Sequence, residues 1–175
     1  MQQYIALLRG INISGQKIIK MADLRTILSA AGLNNVQTYI QSGNVLFESN
    51  DKPAQLTQCI IDTIEQHYGF IVPTIILTPE ELQEAANNNP YGDVEGNRLY
   101  LTFLSDPPKQ DGLAAIEAVR KPDEHMKLIG KVLYFYCPNG VARSKITNNL
   151  VEKKLETRAT TRNWRTTNKL LGMVS

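Results

Sequence analysis

Arginine, lysine, asparagine and serine side chains gather beside glycines at several strand ends. They read Arg9-Gly10-Ile11-Asn12-Ile13-Ser14-Gly15-Gln16-Lys17, Gln41-Ser42-Gly43-Asn44, Ala142-Arg143-Ser144-Lys145 and Thr160-Thr161-Arg162-Asn163-Trp164. Guanidinium forks hold a phosphate or carboxylate by two bonds, and glycine lets backbone N–H groups approach a ligand. The chemistry these residues suit is the gripping of an anion. The candidate ligand-binding residues are Arg9, Asn12, Lys17, Gln41, Ser42 and Asn44 in the first half, and Arg143, Ser144, Lys145, Thr161, Arg162 and Asn163 in the second. The competing assignment is structural: Asn12, Asn44 and Asn163 would satisfy turns and caps, and Arg9 would be neutralised by an internal acid.

Sharper signatures fail. Gly10 and Gly15 have the spacing of a phosphate-binding P-loop, but Gln16-Lys17-Ile18 follows. The lysine is therefore one place late and the magnesium-binding hydroxyl is missing. Neither a nucleophile elbow nor a dinucleotide fingerprint occurs, no carboxylate pair stands out by spacing, and no residue is assigned a catalytic role. The two cysteines, Cys59 and Cys137, and the two histidines, His67 and His125, are scattered. That spacing predicts reduced thiols, no metal site and no cofactor.

With 42% hydrophobic and 21% charged residues over 175 positions, the chain has the balance of a folded globular protein. Apolar runs fall far short of the roughly 20 residues a membrane span needs. The start, Met1 to Gly10, carries no basic leader or small-residue cleavage site, which predicts a cytoplasmic protein without membrane contact. The net charge of +2 hides an asymmetry: residues 1–97 hold five Lys and Arg against ten acids, and residues 98–175 hold fourteen against seven. Eight of those bases lie between Arg143 and Lys169, a stretch suited to a phosphate-bearing partner or to a solvated helix face.

The elements that must position these turns repeat one order. Tyr4 to Leu8 reads as a strand, Met21 to Ala31 as an amphipathic helix stopped at Gly32, and Val36 to Gln41 with Val45 to Glu48 as a hairpin. Pro53 opens a helix ending at Gly69, and Ile71 to Leu77 is a further strand. Thr78-Pro79-Glu80-Glu81 is a capping box for a connecting helix that runs to about Asn88, where the breaker Asn87 to Gly92 stops it. The order recurs with a strand over Leu99 to Leu104, a helix over Gly112 to Val119 and a hairpin of His125 to Ile129 with Val132 to Cys137. A helix over Ser144 to Leu155, a short polar strand over Arg158 to Thr161 and a last helix over Asn163 to Met173 complete it. This predicts an α+β protein of two tandem ferredoxin-like βαββαβ units with antiparallel sheets, over residues 1–89 and 90–175, plus a C-terminal helix.

In that topology the end of the first strand lies beside the hairpin that follows the second, so Arg9 to Lys17 should meet Gln41 to Asn44. In the second half Ala142 to Lys145 and Thr161 to Arg162 should share an edge, roughly 10 Å apart. Tyr134 and Tyr136 project from one face of a central strand, with Tyr100 as a candidate third member from its neighbour. Such a face either stacks nucleic-acid bases or is buried, and burial is favoured.

The segments Leu7 to Gly15, Tyr39 to Val45, Ala142 to Lys145 and Thr161 to Trp164 together resemble the bacterial domain-of-unknown-function family sixteen-ninety-seven. The resemblance implies a cytoplasmic α+β protein with duplicated halves and transfers no activity or catalytic residue. The leading reading is binding of a phosphorylated or polyanionic ligand, nucleic acid included, held by the basic cluster of the second half through Arg143, Lys145 and Arg162; the alternatives are an enzyme holding a small phosphorylated or carboxylated metabolite with Arg9 and Lys17, and a homo-oligomeric module pairing through edge strands.

Overall fold

The computed structural model of the chain describes residues 1–174. Its elements are β1 (Gln2–Leu8), α1 (Met21–Ala30), β2 (Asn34–Tyr39), β3 (Asn44–Ser49), α2 (Pro53–Tyr68), β4 (Thr74–Leu77), α3 (Pro79–Asn87), β5 (Leu99–Leu104), α4 (Leu113–Glu117), β6 (His125–Ile129), β7 (Val132–Tyr136), α5 (Asn148–Leu155), β8 (Ala159–Asn163) and α6 (Trp164–Met173). The chain divides into two compact units, Met1–Glu81 and Leu82–Met173, the division falling inside α3. Each unit holds a four-stranded antiparallel sheet, ordered β2-β3-β1-β4 and β6-β7-β5-β8. The architecture is α+β and compatible with two tandem ferredoxin-like units. No helix among the described residues is long and apolar enough to cross a membrane.

In the first unit the period of two in β1 sends Tyr4, Ala6 and Leu8 to the helix-bearing face, where they join Val45 and Phe47 of β3, Leu24 and Leu28 of α1, and Leu56, Ile60 and Ile64 of α2. Tyr4 stacks on Phe47 with ring centroids 5.8 Å apart. Ile5 and Leu7, on the other face, are also fully buried, which is why β1 reads as an unbroken apolar run. Fully burying each such side chain contributes about 1.5–3 kcal/mol. The capping box of α3 is reciprocal: Glu81 N donates to Thr78 Oγ1 (3.1 Å) and Thr78 N to Glu81 Oε2 (2.9 Å). β4 begins at Thr74 rather than at Ile71, because Pro73 has no N–H for the ladder.

In the second unit Leu104, Leu133 and Ala159 from the sheet pack with Ile116 of α4 and Val151 and Leu155 of α5. Gly112 permits this approach, since a Cβ there would sit 1.8 Å from the Lys154 carbonyl oxygen. Helix α5 starts at Asn148, later than the Ser144 expected from sequence, because Thr147 is the N-cap and its hydroxyl takes Leu150 N at 3.2 Å. β8 is a full strand that runs on to Asn163, so Arg162 is a strand residue and not part of a turn. The register pairs Leu101 with both Tyr134 and Arg162, and Tyr100 with Phe135 and Asn163. Tyr100 therefore faces away from Tyr134 and Tyr136, and the three-tyrosine surface considered from sequence does not form. Tyr134 is fully buried and its hydroxyl donates to Ala85 O, while Tyr136 packs against Tyr91 and His125.

Candidate functional site

At the end of β1 in the first unit, Leu8 N donates to Gly43 O (2.8 Å) and Arg9 N to Pro73 O (2.9 Å), drawing the loop after β1, the β2–β3 turn and the lead into β4 together. Gly43 makes the approach possible. At φ +88° it occupies the left-handed region, and a Cβ there would lie 2.6 Å from Leu8 Cβ and 3.0 Å from Ile11 Cδ1.

The loop after β1 is fixed by Asn12. Its amide donates to Ile19 O (3.0 Å) and Gln41 O (2.7 Å), and its Oδ1 accepts Ile19 N (2.8 Å). Asn12 N bonds Lys17 O at 3.1 Å and Gln16 N bonds Ile13 O at 2.9 Å, which curls the intervening residues into a tight lobe. The Lys17 ammonium donates to Ile71 O at 2.8 Å. The lobe walls a pocket of about 490 Å³ lined by Arg9, Gly10, Ile13, Ser14, Gln16, Lys17 and Pro73. That lining contains two cations and no carboxylate. Gln41 is exposed and receives Asn12 through its backbone carbonyl. Asn44 is buried, with its amide given to Tyr39 O and Ser42 Oγ, each at 3.0 Å.

The second unit has a smaller pocket of about 270 Å³, lined by Tyr100, Thr102, Phe135, Val141, Ser144, Ile146, Thr147, Asn148, Val151 and Thr161. Ser144 and Thr161 do come together there, as their shared sheet edge led one to expect. Thr161 Oγ1 donates to Asn148 Oδ1 (2.7 Å) and pairs with Thr102 Oγ1 (2.8 Å). The lining carries no charged group. Arg143 and Lys145 are exposed on either side of half-buried Ser144. Arg162 alternates to the opposite face from Thr161 and lies 7% exposed, with Nη1 donating to Thr160 Oγ1 (3.0 Å) and Thr161 O (2.8 Å). Burial pulls its guanidinium down to about 10. Asn163 caps α6, its Oδ1 accepting Thr166 N at 2.8 Å.

Glu124, which the sequence reading passed over, organises the loops near Ser144. Its carboxylate is 2% exposed and accepts Lys121 N (3.0 Å), the Ser144 hydroxyl (2.7 Å) and the Cys137 thiol (3.8 Å). Burial and this acid together push the Cys137 thiol up to about 12. Burial likewise pushes the Tyr134 phenol up to about 12. Also unremarked in the sequence were Ile13, Ile18, Ile40 and Ile71, all exposed. Ile13 and Ile18 are legible as apolar residues inside a polar glycine loop, whereas Ile40 and Ile71 fall within strands expected from sequence that in the structure end at Tyr39 and begin at Thr74.

Among solved structures, the conserved bacterial protein SP0830 from Streptococcus pneumoniae aligns with a TM-score of 0.79 at 26% identity, over 99% of each chain. An unknown protein from Galdieria sulphuraria aligns at 13% identity over 93% of this chain and 98% of its own, with a TM-score of 0.28. No curated protein matches the chain. Residues 1–134 match the family described as protein of unknown function (DUF1697), and the chain belongs to that family.

Proposed function

We propose that the protein binds a small phosphorylated or otherwise polyanionic ligand in the pocket between Arg9 and Lys17, with each unit a ferredoxin-like βαββαβ module whose strand-end loops carry the recognition, and that it works in the cytoplasm. The observation that carries this reading is the lining itself: two cations, a serine hydroxyl and a glutamine amide around about 490 Å³, with no acid among them. A volume of that order suits a metabolite-sized ligand. The Lys17 ammonium has three N–H donors and Ile71 O takes one, so donors remain for ligand oxygens. Arg9 adds a planar fork at the same wall.

This moves the anion from the second-half cluster expected from sequence, because the second-unit pocket has a neutral lining and the guanidinium of Arg162 serves Thr160 and Thr161. The test is a titration of the whole protein with inorganic phosphate, pyrophosphate and a short oligonucleotide, followed by amide chemical shifts. Pyrophosphate should move the resonances of Gly10, Ser14, Gly15 and Lys17, and Lys17→Ala should weaken it by about tenfold or more, as expected for loss of a charged hydrogen bond. Shifts confined to Arg143 and Lys145, or unchanged affinity in an Arg9→Ala, Lys17→Ala double variant, would reject the assignment.

A further inference from the structure

The pocket has a second property that its charge does not explain. Apart from Met1, the exposed large hydrophobic residues among the described residues are Ile13, Ile18, Ile40 and Ile71, at 59%, 55%, 48% and 57% exposure. All four lie in the loops that meet at the end of β1. Ile13 lines the pocket, Ile18 follows Lys17, Ile71 supplies the carbonyl that holds the Lys17 ammonium, and Ile40 precedes the Gln41 carbonyl that holds Asn12. These loops, residues 9–20, 40–43 and 69–73, contain Arg9, Lys17 and Lys20 and no acid, although residues 1–97 as a whole are acidic.

The backbone there is unusual as well. Asn12, Ser14, Lys17 and Ile40 adopt φ of 55°, 50°, 46° and 50°. For a β-branched residue such as Ile40 that conformation is a genuine outlier, and local strain of this kind clusters at functional sites. Folding gains nothing from holding isoleucines outward on such loops. Clustered exposed apolar side chains mark surfaces that bind something.

Resting on the anion-binding reading above, we infer that the ligand is an amphiphilic anion: a phosphate or carboxylate head held between Arg9 and Lys17, joined to an aliphatic body that lies across the exposed isoleucines. Charge selects the head, since the lining is cationic and acid-free. The apolar rim selects the body, because each methylene it covers tightens binding by about fourfold.

The experiment is a chain-length series on the intact protein by calorimetry below micelle concentrations, with inorganic phosphate, butyl phosphate, octyl phosphate, octanoate and neutral octanol. Affinity should rise from phosphate through butyl to octyl phosphate by at least tenfold overall, and octanol should bind far more weakly than the octyl anions. A rise along the phosphate series supports the inference, and the tighter of octyl phosphate and octanoate identifies the head. An Ile18→Ser, Ile40→Ser double variant alters exposed side chains outside the pocket lining and should flatten the series while leaving inorganic phosphate binding intact. If phosphate and octyl phosphate bind equally, the amphiphile is wrong and the anion site stands. If none of the anions binds, both readings fail, and if octanol matches octyl phosphate the head-group assignment is overturned.

Discussion

The hydroxyl of Ser144 donates to Glu124 Oε2 at 2.7 Å, so a serine that looked available for a ligand in the sequence is committed to a buried acid of the same unit. The same carboxylate takes Lys121 N and the Cys137 thiol. One side chain thereby holds the Lys121 turn, the end of β7 and the loop that leads into α5.

Removing that acid should be costly. Glu124→Ala leaves a half-buried backbone N–H and a hydroxyl without their acceptor, and a loss of about 2 kcal/mol is expected. Glu124→Gln keeps the shape but turns an NH₂ toward at least one donor, and should cost about half as much. Urea denaturation reads both; midpoints should fall with unchanged slope. Wild-type stability in both variants would show that the Ser144 loop is held by something else.

Cys137 should behave as an inert thiol. Its folded value of about 12 lies above the ordinary 9.0, so the native state favours the protonated thiol. The unfolded chain loses that proton first as pH rises. The stabilisation is therefore complete below pH 9 and disappears progressively between 9 and 12. Tyr134, raised from 10.0 to about 12 by burial, acts in the same sense from pH 10 upward. Maleimide labelling at pH 8 should modify half-buried Cys59 and spare Cys137 until denaturant is added. Equal labelling rates in the native protein would contradict this picture.

Much of the fold could be read from the chain because its local signals agreed. The Thr78–Glu81 capping box, Pro53 at a helix start and the short unbroken apolar run of β1 all name their elements without tertiary help. The polar strand β8 was harder: Thr160, Thr161 and Arg162 have little apolar signature, and only pairing with β5 makes them a strand. That one extension changed the site. In a turn Arg162 could have faced solvent, whereas in a strand its neighbours Thr161 and Asn163 take one face and it must take the other. The loop after β1 was legible as polar and glycine-rich, but the roles within it were not. Asn12 and Lys17 are both donors in sequence, and only the positions of Ile19, Gln41 and Ile71 separate a staple from a pocket wall.

That separation is testable at Asn12. Asn12→Ala deletes three side-chain bonds, two closing its own loop and one to the β2–β3 turn, and removes a residue type that tolerates the left-handed φ of 55°, so the lobe should open. A loss of about 1–3 kcal/mol is expected. Asn12→Asp should be no milder, because a carboxylate placed against the Ile19 and Gln41 carbonyls repels where the amide donated. Hydrogen exchange at Ile19 N, which bonds Asn12 Oδ1 at 2.8 Å, should accelerate in the alanine variant. Protection unchanged at that amide would mean that the lobe is rigid without its staple.

Arg162 separates stability from ligand binding. Its side chain lies 7% exposed beside Leu101 and donates to Thr160 and Thr161, so Arg162→Ala removes both packing of the aliphatic stem and buried hydrogen bonds. A destabilisation of about 2–3 kcal/mol is expected. Pyrophosphate affinity, measured where the variant remains folded, should match wild type, since the proposed anion site is built from first-unit residues alone. Lys17→Ala should show the reverse: a half-buried surface lysine with one hydrogen bond to Ile71 costs little stability and most of the binding. Should Arg162→Ala abolish pyrophosphate binding at full stability, the anion would belong to the second unit, and the buried guanidinium would have to reach it by rearranging β8.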